Sequence, residues 1–367
     1  MLHDRAQKAN VLKLCISKRW LPQIEIDVEP KGRTAKEKYL LTDMDVMAYV
    51  PQTISGFERI IFDCKSGRKE SAISRAFWLR GLMDKVGANQ GFVILNNKVS
   101  ISRDHRINAS ELSVSLLHEN DFEVLSSSLG GSLNYIGAAS AEIENWEKFF
   151  ALNAKYPQLQ DYLQFSKSSY WMIRDPGEQC RKTVAKLRAL KAELDPDKPE
   201  HLSIFADAIC LFVLSLSQLT LKIFLSFLHP SSQSELSDAL LAVIYGGYEN
   251  LEAAKKLRRI SLQLGDDEHV SVFPELEKLE QLARELLQSP PQALSSAMLA
   301  REVGMGFLSE AQGNSFAQTL SAEQPYAVKF CLLSAEYLCK ACKLPPDFGI
   351  HFSNLFLNLY QPNSQNK

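Results

Sequence analysis

Nearly every stretch of this 367-residue sequence that reads as a β-strand lies in its first 126 residues. Beyond that point apolar residues recur at helical spacing instead, so one sheet must be built from the front third. The remainder has to bury its apolar residues between helices, and it shows no repeat of fixed period, which speaks against a regular solenoid. Within the front third, residues 4–18 place Val11, Leu12, Leu14, Cys15 and Ile16 among Lys and Arg, as an amphipathic helix does. Residues 23–29 alternate strictly, and strands are expected there, at 39–50 and at 59–65. A helix follows over 69–86, its apolar stripe formed by Ile73, Ala76, Phe77, Leu79, Leu82, Met83 and Val86, with Trp78 in the core. A short buried strand at 91–95, a helix at 111–119 and a last strand at 122–125 complete the pattern. Three strands joined by short turns predict an antiparallel meander, and the later helix-linked strands should join the same sheet by crossovers.

The stretch Ser126-Ser127-Ser128-Leu129-Gly130-Gly131-Ser132 has linker composition. The expected organisation is a domain over residues 1–126, a linker over 127–139 and an all-helical domain over 140–367. The fold class is α+β: an N-terminal mixed sheet flanked by helices, then a mainly helical region. Helices are expected at 140–155, 158–172, 176–193, 199–229, 233–244, 248–263, 272–288, 292–303, 315–320 and 325–342. One of them is apolar enough to raise a membrane question, with no charge from Ala208 to Leu221. Asp207, Ser215, Gln218, Lys222 and Ser226 fall on one helical face, which favours a buried helix of a folded domain over a bilayer span.

A formal charge of −2 argues against a strongly basic nucleic-acid coat protein, but it averages two unlike parts. Residues 1–128 hold 19 Lys/Arg and 16 Asp/Glu, a net of +3, whereas residues 129–367 hold 22 and 27, a net of −5. Seven scattered cysteines do not form a disulfide framework, and the N-terminus lacks the apolar stretch of a signal peptide, so a cytoplasmic protein is expected. Cys339-Lys340-Ala341-Cys342 has no second pair of ligands near it in sequence, which speaks against structural zinc. There is no HExxH, no GxxxxGK[ST] and no GxGxxG, which leaves zinc proteases and nucleotide-binding loops without a signature.

Two predicted strands carry charges in otherwise apolar runs. Leu41-Thr42-Asp43-Met44-Asp45-Val46 puts Asp43 and Asp45 on one side of its strand, and Ile61-Phe62-Asp63-Cys64-Lys65 does the same for Asp63 and Lys65. If the strands are neighbours, carboxylates and an ammonium converge. Such a set suits metal-assisted hydrolysis of a phosphodiester, with oxygen donors for Mg2+ or Mn2+ and a cation for the charge developing on phosphorus. The carbonyl of Cys64 is a further candidate oxygen ligand. The basic residues Lys69, Arg75 and Arg80, on or beside the helix at 69–86, are candidates for phosphate contacts.

An aspartate in one strand followed by Asp-Cys-Lys in the next resembles the PD-(D/E)XK nuclease superfamily, whose fold is restriction-endonuclease-like. Asp45 lies 18 residues before Asp63, a comfortable hairpin, and the helices and strands that follow have the order expected of that fold over residues 1–126. The resemblance implies a Mg2+- or Mn2+-dependent nuclease. Asp45 and Asp63 would hold the metal, helped by the Cys64 carbonyl and Asp43, and Lys65 would assist the attacking water. It implies nucleic acid as partner, DNA in preference to RNA, and a setting such as prokaryotic restriction or anti-phage defence. Two departures stand out. Asp45 follows Met44 rather than proline, and the first helix offers only Asp4 where many members carry a glutamate. The acidic helical region would then regulate, recognise or oligomerise, through a protein partner or a second copy. The competing expectation is an inactive nuclease-like fold that serves as a binding module for nucleic acid or protein.

Overall fold

The structure, a computed structural model, describes residues 2–30, 39–52, 54, 56–134, 137–263, 273–310 and 315–360. It is an α+β protein. Its backbone contacts divide it into two compact units, Met1–Arg174 with Leu308–Phe316, and Asp175–Phe307 with Ala317–Lys367.

The first unit runs α1 (Arg5–Ser17), β1 (Leu21–Val28), β2 (Thr42–Gln52), β3 (Gly56–Lys65), α2 (Ala72–Val86), β4 (Gln90–Leu95), α3 (Arg103–Glu111), β5 (Val114–His118), α4 (Glu119–Ser128) and α5 (Ile143–Lys155). The short α6 (Gln160–Gln164), a π-helical turn over Phe165–Ser169 and α7 (Tyr170–Met172) follow. One five-stranded sheet has the order β1-β2-β3-β4-β5. The first three strands are antiparallel, and β4 and β5 add in parallel through the α2 and α3 crossovers.

Local chemistry fixes these elements. The Ser71 side chain caps the start of α2 by accepting from the N–H of Ser74, and Gly87 ends it at φ 71°, where a side chain would be strained. Gly91 in β4 lets α2 approach the sheet, because a Cβ there would lie 2.7 Å from Leu79 Cδ2 and 2.8 Å from Met83 Sδ. Phe62 stacks on Phe92 at 5.2 Å and meets Phe122 of α4 edge-on. The free edge of β1 is closed by the π-helical turn. Ser168 Oγ accepts the Asp27 N–H, Gln23 donates to the Lys167 carbonyl, and Lys167 pairs with Asp27.

Several expectations need correction. Residues 111–119 form the end of α3 and then β5, and residues 122–125 are helical, within α4. Val114 and Leu116 are buried in alternation, so five residues of strand fit where a helix was expected. His118 starts α4, with its N–H bonded to Asp121 Oδ2 at 3.0 Å. Residues 126–134 are not a free tether. Gly131 N–H donates to Ser126 O, Ser132 N–H to Ser17 Oγ and Lys18 Nζ to Leu129 O, which tie the segment to α1. Residues 135–136 of the expected linker lie outside the described residues. The first unit continues to Arg174 because α5 and the turn after it pack on α1 and β1, well beyond the expected limit at 126. On α2, Phe77 is exposed rather than part of the stripe, and Trp78 is only half-buried.

The second unit contains α8 (Pro176–Ala189), α9 (Pro199–Phe227), α10 (Gln233–Tyr245), α11 (Tyr248–Gln263), α12 (Leu276–Leu287), α13 (Pro290–Gly306), α15 (Pro325–Cys342) and α16 (Pro346–Tyr360), with most of α14 (Ser315–Glu323). Helix α9 is its centre and packs against α13 and α8. It is long and apolar enough to cross a membrane, but 78% of its most apolar window is buried within the fold. Its polar residues divide along the helix, with Lys222 and Ser226 exposed towards the C-terminal end and Asp207 and Ser215 enclosed. Asp207 is enclosed in an ion pair with Arg301 of α13 at 2.7 Å, and Ser215 is fully buried against the carbonyls of Leu211 and Phe212. Helix α16, absent from the sequence expectations, buries Phe348, Phe352, Phe356 and Leu359 along one stripe. Cys339 and Cys342 are buried on α15, and among the described residues no group of three or more His, Cys, Asp and Glu side chains is arranged to hold a metal.

Candidate active site

The charged residues of β2 and β3 meet where the sheet opens. The β2–β3 ladder is paired as far as Val46 and Phe62, and Asp45 and Asp63 are the next residues on either side. Here a side chain takes over from the ladder, because Asp45 Oδ2 accepts the Cys64 N–H at 2.8 Å. The same oxygen lies 3.1 Å from Lys65 Nζ, which is also 3.4 Å from Asp63 Oδ1. One ammonium therefore bridges both carboxylates. Asp45 and Asp63 are almost fully enclosed, while Lys65 is 22% exposed and reaches solvent.

Two more cations complete the cluster. Lys8 of α1, only 1% exposed, sits 2.9 Å from Asp45 Oδ1 and also pairs with Glu25 of β1. Arg75 of α2 grips Asp63 with two donors, Nε to Oδ2 at 2.8 Å and Nη2 to Oδ1. Its guanidinium lies over the Trp78 ring at 4.0 Å. At the rim, Asp4 Oδ1 accepts from the Ser66 N–H at 2.8 Å and the Ser66 hydroxyl at 2.5 Å, and Asp4 Oδ2 is 3.9 Å from Lys65.

Glu25 is held in an unusual backbone. It stands across from Asp45 in the β1–β2 register, where the paired residues skip from Ile24–Val46 to Ile26–Met44. Its φ is 57°, a left-handed conformation that costs a non-glycine residue of order 1–3 kcal/mol. The ion pair with Lys8 is the interaction that meets it there.

The electrostatics follow from this enclosure. Burial pushes the Asp45 carboxyl upward, but Lys8 and Lys65 outweigh it and hold the group below the usual carboxylate range. Burial disfavours the charge on Lys8, yet Asp45 and Glu25 keep it protonated well above an ordinary lysine. Lys65 behaves alike: burial lowers it, Asp63 and Asp45 raise it further, and it stays charged.

Of the residues expected from sequence, Asp45, Asp63, Lys65 and Arg75 are brought together. Cys64 is buried in β3 opposite Ile94 of β4, with its thiol pushed far up by burial and not a nucleophile at neutral pH. Asp43 is exposed, opposite Asp27 in the register, and no described hydrogen bond or ion pair ties it to the cluster. Arg80 turns to Asp84 and the Leu112 carbonyl, and Lys69 is exposed just ahead of α2. Arg75, read as a surface phosphate contact, is instead bound to an acid of the site.

Sequence reasoning missed Lys8 and Glu25. Lys8 had a signal: it falls at i, i+4 and i+7 with Leu12 and Cys15, on the buried face of α1. Glu25 had none, because its left-handed backbone cannot be read from an alternating strand.

Oxygen donors from Asp45 and Asp63 suit a hard divalent cation, and Lys65 Nζ shows that one cationic centre fits between them. Lys8 and Arg75 compete for the same carboxylates. No family model, curated protein or solved structure matches this chain.

Proposed function

We propose that the first unit is a metal-dependent nuclease that hydrolyses phosphodiester bonds, DNA in preference to RNA. The observation that carries this reading is the convergence of Asp45 and Asp63 on Lys65 at the open end of the β2–β3 ladder. The element order over residues 5–95, helix, three strands, helix and strand, is the one the PD-(D/E)XK resemblance implies, and it adds support.

Asp45, Asp63 and the Cys64 carbonyl would hold Mg2+ or Mn2+. When bound, the metal supplies Lewis-acid polarisation of the scissile phosphate and activation of water. Asp45 enters the reaction as a carboxylate, because its pKa is held low by the lysines around it. In the free protein Asp63 and Asp45 keep Lys65 charged, and its part would be to assist the attacking water and to donate to a phosphate oxygen, stabilising the negative charge that builds there. Lys8 cannot reach substrate, since it is enclosed; it fixes the orientation of Asp45 from below. Lys69, exposed at the approach to α2, is placed to meet the nucleic-acid backbone.

The assay is incubation of the purified full chain with plasmid DNA and with RNA, in Mg2+, in Mn2+ and in EDTA. The reading expects cleavage with either metal, more of DNA than of RNA, and none in EDTA. The second reading, an inactive nuclease-like binding module, is favoured by one observation, the occupation of Asp45 Oδ1 by a buried lysine. It expects nucleic-acid or protein binding without cleavage under any metal.

A further inference from the structure

We propose that Arg75 couples metal binding to substrate binding, by holding Asp63 in the free protein and releasing it when a nucleic-acid phosphate takes the guanidinium. The inference rests on the nuclease reading and adds its regulation. Three cations sit on the two acids, and they are not equivalent. Lys8 is enclosed and has no route to a substrate. Lys65 already lies between the carboxylates, where a metal would be held. Arg75 is the one that occupies both oxygens of Asp63, and with 20% of its side chain exposed it is reachable from solvent.

The Arg75 guanidinium takes one lone pair on each Asp63 oxygen and sets its positive charge against that of a divalent cation on the same carboxylate, so the two binders oppose each other. The two non-bridging oxygens of a phosphodiester offer Arg75 a bidentate acceptor in place of the two oxygens of Asp63. Trp78 gives the guanidinium a face to rest on, so the side chain can turn toward the surface without losing that contact. The exposed run Ser66–Lys69 leads directly into α2 and places Arg68 and Lys69 close in sequence to this cation. Exchange of Asp63 for phosphate leaves the total charge of the cluster in favour of metal uptake, because one positive charge leaves the acid. By linkage, nucleic acid then tightens metal binding and metal tightens nucleic-acid binding by the same factor.

The test measures Mn2+ binding to the full chain by electron paramagnetic resonance, alone and with a short phosphorothioate duplex, subtracting Mn2+ bound by the duplex itself. Wild type is expected to bind Mn2+ about tenfold more tightly with the duplex than without, within the usual range of coupling. Arg75→Ala is expected to bind Mn2+ about tenfold more tightly than wild type without duplex, and to gain several-fold less than wild type when duplex is added, the remaining gain coming from contact of the metal with phosphate. Arg75→Lys, which keeps the charge but not the two-pronged grip, should fall between them, and it carries the test if Arg75→Ala does not fold. A purely structural arginine would leave Mn2+ affinity and its dependence on duplex unchanged, and that result overturns the proposal while leaving the metal site standing. Absence of Mn2+ binding in every variant, with and without duplex, overturns the nuclease reading itself.

Discussion

At the residue scale, the site is a set of charges that only tertiary structure could assemble. Asp45, Asp63 and Lys65 were legible because a strand alternates, and charges in an apolar run have to be aimed somewhere. The spacing of Lys8 marks it as facing inward from α1, but its pairing with Asp45 and that of Arg75 with Asp63 are not legible, because the two helices are far apart in sequence, and Glu25 depends on a local φ of 57°. Lys8 gives the clearest stability prediction. Removing one partner of a buried ion pair leaves the other charge without compensation, at a cost of about 3–5 kcal/mol. Asp45 keeps Lys65 and the Cys64 N–H when Lys8 is removed, so Lys8→Met should lower the unfolding free energy of the first unit by the low end of that range, about 3 kcal/mol or less. Denaturation followed by the fluorescence of Trp146 and Trp171, both buried in this unit, would report it. An unchanged midpoint would mean that Lys8 does not hold Asp45 as described.

At the element scale, long periodic segments are legible in the sequence, and among the short ones β4 is legible whereas β5 and α4 are not. Helices α1, α2, α8, α9, α10, α11 and α15 and strands β1 to β4 lie close to where the apolar pattern placed them. Pattern and structure part between residues 103 and 128, where the apolar spacing predicts a helix over five-residue β5 and a strand within α4. A run as short as Val114–His118 does not distinguish the two periods, and its partner in the sheet, β4, decides the outcome. Helix α16 was missed although Phe348, Phe352 and Phe356 repeat every fourth residue, a pattern that was present in the sequence. The packing of α2 on β4 yields a prediction of its own. Gly91→Ala drives a methyl into Leu79 and Met83, and overpacking of this kind costs about 1–3 kcal/mol. Because α2 also carries Arg75, the displaced helix should loosen the grip on Asp63. A thermal melt that shows no loss of stability in Gly91→Ala would contradict the close approach.

At the scale of the whole molecule, two compact units replace the single boundary expected near residue 126. Apolar content and proline positions marked the helices of residues 140–172, but not the fact that they complete the sheet unit. That required seeing the edge of β1 closed by Gln164, Lys167 and Ser168. The charge asymmetry survives as a feature of the chain, with the candidate site in its more basic front part. The second unit contributes a helical core with a buried Arg301–Asp207 pair. A nuclease requires that Asp45, Asp63 and Lys65 form a working site. The most direct measurement is the single-turnover rate of cleavage of a labelled DNA duplex in Mn2+, for wild type and for Asp63→Asn and Lys65→Ala. The account predicts cleavage by wild type, abolished in EDTA, and at least a hundredfold slower in either variant, in keeping with the loss of one charge-stabilising group. Cleavage at the wild-type rate by both variants, or none by folded wild type in any metal, would contradict it.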